Sequence, residues 1–193
     1  MILPNLSETQ LILASKSPRR VQLLEGLGVP FEIRTREVDE DFPLNLKGAE
    51  IPVYLAQKKA EAFRNEITDR DLVITADTVV WVNDHVLNKP ADKDEAFAML
   101  KELSGRTHQV FTGVCLTSAS RSEVFFDETR VTFCELSDEV ISHYIDVCRP
   151  YDKAGAYGAQ EMIGYIAISR IEGSYFNVMG LPVQLLYQHL SGW

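Results

Sequence analysis

Leu11-Ile12-Leu13-Ala14-Ser15-Lys16-Ser17-Pro18-Arg19-Arg20 is the stretch on which the fold turns. Its first four residues are apolar and read as a short buried strand. Ser17 and Pro18 then open a helix, because serine caps a helix N-terminus and proline fits the first helical turn. Val21, Leu23, Leu24 and Leu27 supply that helix's apolar face, and Gly28 suits its exit. A buried strand leading straight into a helix is the building unit of an α/β sheet. From Ser15 to Arg20 the junction carries two hydroxyls and three cations, with no acid among them. Helix starts offer unpaired N–H groups that favour phosphate, and arginine holds phosphate oxygens in pairs. A capped surface helix with solvated basic side chains accounts for the same residues.

Outward from this junction, strand and helix signals alternate. Phe31 to Thr35 reads as a strand, followed by an irregular acidic stretch from Glu37 to Glu50. A helix is predicted from Pro52 to Arg64 and a buried strand from Leu72 to Ala76. Thr78 to Val82 and His85 to Leu87 form a hairpin turning at Asn83-Asp84. Asp92 with Glu95 makes a capping box for a helix ending before Gly105. Thr107 to Leu116 and Glu123 to Leu136 read as longer strands, and Ser137 caps a helix to Cys148. A Gly-rich loop, a strand pair around Ile163 to Val178, and a helix after Pro182 complete the chain. The fold class is α/β: an elongated mixed sheet flanked by helices. It forms a single domain over residues 1–193, built as one body or as two lobes around a cleft.

The chain has 193 residues with 19 Lys+Arg against 28 Asp+Glu, a formal charge of −9, and 46% hydrophobic residues, a globular mixture. No apolar run approaches the ~18 residues a membrane span requires, so no membrane partner is expected. The first ten residues contain no Lys or Arg, and no export signal is expected. Cys115, Cys134 and Cys148 are odd in number and widely spaced, which points to a reducing, cytoplasmic setting. An acidic balance argues against general nucleic-acid binding. An anionic ligand then requires cations gathered at one place.

Further clusters carry chemistry. Glu37, Asp39, Glu40 and Asp41 form either a solvated acidic loop or ligands for Mg²⁺ or Mn²⁺, which prefer carboxylate oxygens. Asp77, in Ala76-Asp77-Thr78, ends an apolar strand, where α/β sheets gather their ligands. A turn-forming aspartate is the alternative. Lys58-Lys59 and Lys89-Pro90 identify no site by themselves. In Asp152-Lys153-Ala154-Gly155-Ala156-Tyr157-Gly158-Ala159-Gln160, small residues permit close backbone approach and Gln160 offers an amide donor and acceptor. The four histidines lack metal-ligand spacing, and neither a P-loop nor a Gly-x-Ser-x-Gly elbow is present.

Taken in order, Ala14 to Arg20, Ala76-Asp77-Thr78, Lys89-Pro90, Leu103 to His108, Asp152 to Gly158 and Gly180-Leu181-Pro182 resemble the Maf family of nucleoside triphosphate pyrophosphatases. The resemblance implies a Maf/ITPase-like fold. It also implies hydrolysis of the α–β phosphoanhydride of a nucleoside triphosphate with a divalent cation, Mg²⁺ or Mn²⁺. Asp77 falls at the proton acceptor, Arg19, Thr78 and Gln160 at positions tied to substrate choice, and Glu40 with Asp77 near the metal. Ser15, Arg20, Lys59 and Lys89 are the expected phosphate-binding groups. Ala-Asp-Thr resembles the branch acting on dTTP and UTP, with modified pyrimidine nucleotides as a further substrate class; a 7-methyl-GTP branch differs at these positions. The family often forms homodimers. A nucleotide-binding regulator of cell division without turnover is the alternative class. One departure stands out: after Gln160 the family commonly has Gly, whereas this chain has Glu161-Met162-Ile163, a carboxylate that either shifts substrate preference beside the base pocket or points to solvent.

Overall fold

The computed structural model describes residues 2–193. β1 (Gln10–Leu13) and α1 (Pro18–Glu25) form where the opening stretch predicts them. Ser17 occupies the N-cap but its side chain caps nothing; its backbone N–H donates to Ser15 Oγ at 3.2 Å instead. β2 (Glu32–Ile33) keeps only two residues of the predicted strand, paired parallel to β1 at the sheet's edge.

β3 (Asp71–Val82) is the axis of the molecule. It runs parallel to β1 and antiparallel to β5 (Thr107–Thr117), in register from Val73↔Thr117 to Trp81↔Gln109. β6 (Ser122–Phe133) and β7 (Ile168–Glu172) follow, in the order β2-β1-β3-β5-β6-β7. β4 (His85–Leu87) folds back on the end of β3 through Asn83 and Asp84, whose φ of 48° and 61° give the positive-φ turn that hairpins favour.

Two sequence expectations are corrected. Leu72 to Ala76 and Thr78 to Val82 are one strand, not two, because β5 pairs along both and bridges Asp77 through Gly113. Asp77 therefore does not sit at the carboxyl end of its own strand. It sits beyond the end of β1, which stops at Leu13 opposite Ile74; β4 pairs farther along, from Val82↔His85 to Val80↔Leu87. Among the described residues no strand lies against that flank of β3 between Thr75 and Val79, which leaves a notch in the sheet. The expected strand pair around Ile163 to Val178 is α5 (Met162–Ala167), β7, and α6 (Tyr175–Met179). Gly173 ends β7, and Ser174 Oγ caps α6 by accepting from Asn177 N at 3.3 Å.

Alternation along β3 assigns its faces. Leu72, Ile74 and Ala76 pack with α1 and with α7 (Val183–Ser191) in one core. Val80 and Val82 enter a second core with α3 (Lys93–Leu103) and α4 (Asp138–Cys148). Thr78 lies between the two. On the opposite face, α2 (Glu50–Glu61) covers β3 and β5 so closely that a Cβ at Gly113 would lie 2.5 Å from the backbone of Pro52. That approach carries the C-terminal turn of α2, with Lys59, toward Asp77. Among the described residues no helix is long and apolar enough to cross a membrane.

Candidate active site

At the notch lies a cleft of about 820 Å³. All nine site residues read from the sequence line it: Ser15, Arg19, Arg20, Glu40, Lys59, Asp77, Thr78, Lys89 and Gln160. Because β1 gives way at this point, side chains from both faces of β3 reach the same space.

Asp77, 8% exposed, accepts a hydrogen bond on Oδ1 from Lys59 Nζ at 2.5 Å. Lys59 also donates to Glu40 Oε1 at 2.8 Å, and Lys89 donates to Glu40 Oε2 at 2.8 Å. Burial pushes the Glu40 carboxyl up, but the hydrogen bonds and charges of Lys59 and Lys89 outweigh it and hold the group at about 2. Two carboxylates converging on one ammonium suit a hard divalent cation, which favours oxygen ligands. Glu40 and Asp77 are thus a donor pair of the right chemistry for Mg²⁺ or Mn²⁺, with Lys59 holding the shared position. Of the rest of the acidic run, Glu37 also lines the cleft but pairs with Lys16, and Asp41 pairs with Lys58.

On the other face of β3, Arg20 is occupied by protein. Its Nε donates to the Gly180 carbonyl at 2.8 Å, Nη1 to the Ala76 carbonyl at 2.8 Å, and Nη2 to Thr78 Oγ1 at 3.1 Å. Three of its five N–H groups therefore brace the notch, leaving two for a ligand. Burial lowers its pKa; the nearby Asp77 charge opposes the change. Thr78 Oγ1 also lies 2.9 Å from Thr112 Oγ1.

Across the cleft, Arg19 donates to Asp152 Oδ2 at 3.2 Å. Lys153, with 8% of its side chain exposed, bonds Asp152 Oδ1 at 2.7 Å and Glu161 Oε1 at 2.9 Å. Burial raises the Asp152 carboxyl, but Lys153 and Arg19 bring it below its ordinary value. Gln160 lines the cleft, and its Oε1 is buried with no hydrogen-bond partner among the described residues. The sequence reading assigned no role to Asp152, Lys153 or Tyr144 individually. Lysine between two acids at positions 152 and 161 is visible in the sequence, but the turn that brings them together is not.

The sequence profile described as "Maf: Maf-like protein" matches residues 10–193. The chain belongs to the Maf-like family. A protein of Phocaeicola vulgatus named dTTP/UTP pyrophosphatase is 54% identical to this Maf-like chain over 191 residues, covering 98% of this chain and 99% of its own length. A Porphyromonas gingivalis protein of the same name is 52% identical over 193 residues, covering 98% of this chain and 97% of its own length. Among solved structures, the Staphylococcus aureus Ham1 protein aligns with a TM-score of 0.57 at 15% identity, covering 95% of this chain and 99% of that one. That likeness concerns the fold: the same kind of mixed sheet flanked by helices.

Proposed function

We propose that this chain is a nucleoside triphosphate pyrophosphatase acting on dTTP and UTP, yielding the monophosphate and pyrophosphate. The observation that carries the reading is Asp77, a nearly buried carboxylate facing a cleft ringed by lysines and arginines. A site built only to bind phosphate has no use for such a group. A carboxylate there takes a proton from an attacking water as its oxygen bonds to phosphorus. The phosphorus–oxygen bond of the α–β linkage then breaks, and pyrophosphate leaves with the electron pair. Lys59, Lys89 and Arg19 balance the charge that develops on the phosphate oxygens. Glu40 and Asp77 would hold Mg²⁺ or Mn²⁺, which adds charge neutralisation and oxygen alignment when bound. Gln160 lines the cleft and suits a thymine or uracil ring, because an amide turned toward the base accepts its N3–H and donates to a ring carbonyl. Cytosine lacks that N3–H.

The test is a panel of nucleoside triphosphates with Mg²⁺ or Mn²⁺, scoring pyrophosphate against orthophosphate. Asp77→Asn should lower kcat by about 10²–10⁴-fold, and Gln160→Ala should erase the preference for UTP over CTP. No pyrophosphate from any triphosphate overturns the enzyme reading and leaves a binding protein.

The three cysteines are free thiols, which supports a cytoplasmic setting. An apolar groove beside the cleft, with Leu23, Leu27, Phe176 and Tyr187, supports a homodimer, for which light scattering is the check.

A further inference from the structure

We propose that Glu161 is a positioning residue that presets Arg19 and Gln160 through Lys153 and Tyr144, without touching the substrate; this rests on the pyrophosphatase reading. Glu161 follows Gln160 directly, yet it does not line the cleft. Both of its oxygens are engaged within the protein. Oε1 pairs with Lys153 Nζ at 2.9 Å, and Oε2 accepts from the Tyr144 hydroxyl at 2.6 Å. Tyr144 is fully buried, and its oxygen in turn accepts the Gly158 N–H at 3.2 Å. Burial and the Glu161 carboxylate raise the Tyr144 pKa, keeping the hydroxyl a donor.

The network has two outlets. Lys153 passes from Glu161 to Asp152, whose second oxygen holds Arg19 on the far wall. Tyr144 and Glu161 fix the backbone on either side of Ala159-Gln160, since the Glu161 N–H also donates to the Gly158 carbonyl at 2.9 Å. The packing is tight: a Cβ at Gly158 would lie 2.9 Å from Glu161 Cδ and 3.1 Å from Lys153 Cε. A carboxylate at 161 therefore neither meets the base nor faces open solvent. It neutralises a nearly buried lysine and fixes the loop that carries Gln160.

The experiment compares Glu161→Gln, Tyr144→Phe, Lys153→Met and the Lys153→Met/Glu161→Gln and Tyr144→Phe/Glu161→Gln double variants with wild type. KM and kcat are measured for dTTP, UTP and CTP, with circular dichroism confirming the fold. Binding of α,β-imido-UTP is followed in parallel by calorimetry. Glu161→Gln should raise KM for dTTP and UTP about tenfold, with kcat within about twofold and UTP favoured less over CTP. In the Lys153→Met/Glu161→Gln double variant the two losses should not add, because the Lys153 outlet is already cut and only the Tyr144 outlet is left for Glu161→Gln to affect. Wild-type kinetics in Glu161→Gln overturn the proposal. So does a Glu161→Gln effect that persists in full in both the Lys153→Met and the Tyr144→Phe backgrounds, because Glu161 would then act through neither outlet. Should Glu161→Gln fail to fold, Tyr144→Phe decides: a raised KM at unchanged kcat supports the proposal, and wild-type values overturn it. If wild type releases no pyrophosphate, the pyrophosphatase reading fails on its own, and analogue binding still tests the network.

Discussion

Replacing Lys59 with methionine keeps the aliphatic stem and removes the ammonium that joins Asp77 to Glu40. The Lys59 and Asp77 side chains are 17% and 12% exposed, so their pair is close to a buried ion pair. Removing one partner of such a pair costs about 3–5 kcal/mol, mostly from the charge left behind. The Lys59–Glu40 contact, with Glu40 46% exposed, adds at most about 1 kcal/mol. Arg20 and Lys89 remain nearby and relieve part of the loss, which places the expected cost near the lower limit, about 3 kcal/mol. Asp77→Asn in the same background removes the orphaned charge and should restore about 2 kcal/mol. The assay is urea unfolding at neutral pH without divalent cations. With a slope of about 2 kcal/mol/M, Lys59→Met should lower the midpoint by about 1.5 M, and the second substitution should recover most of it. A Lys59→Met midpoint within about 0.3 M of wild type refutes the reasoning. A double variant less stable than Lys59→Met refutes it equally, because the cost would not then come from unpaired charge.

Three further outcomes follow from the same geometry. Millimolar Mg²⁺ should raise the melting temperature of Lys59→Met more than that of wild type, since the ammonium no longer competes for Asp77 and Glu40; equal shifts would separate the metal from this carboxylate pair. Gly158→Ala should push Glu161 and Lys153 apart, costing about 1–3 kcal/mol by urea unfolding and raising KM without a matching fall in kcat. Burial lowers the pKa of His108 to about 3, so its neutral form belongs to the fold. The stability this contributes is complete above the ordinary value of 6.5 and declines as pH falls from there through about 3. Between pH 6.5 and 5 the decline amounts to about 2 kcal/mol, and His108→Gln should remove it from the urea midpoints.

The strand and helix flanking Ser15 to Arg20 were legible because apolar run, serine and proline agree locally. Asn83-Asp84 was legible for the same reason, with a turn type that depends on two adjacent residues. The split placed at Asp77 was wrong because a polar residue inside an apolar run looks like a boundary. Its pairing with Gly113 lies 36 positions away in the chain, beyond the reach of any local pattern. The cluster of site residues came from the family resemblance rather than from spacing. Lys58 and Lys59 are indistinguishable in sequence; only the packing of α2 on Gly113 sends Lys59 to Asp77 and Lys58 to the exposed Asp41. Arg20 read as a phosphate ligand, and its three protein acceptors come from residues 56 to 160 positions distant. Glu161 was open between a shift of substrate preference and a side chain in solvent. Its engagement by Tyr144 and Lys153 is a tertiary fact.

A strand flank without a neighbour is a standing invitation to another polypeptide, which can add a strand of its own along the free backbone groups. β3 offers such a flank at the notch, in the middle of an otherwise apolar strand. The Arg20 guanidinium occupies the Ala76 carbonyl there, and its charge makes the flank a poor template for strand addition. Losing Arg20 would therefore endanger solubility as well as the site. The same opening that admits a small anionic ligand is kept closed to a second chain by one half-buried cation.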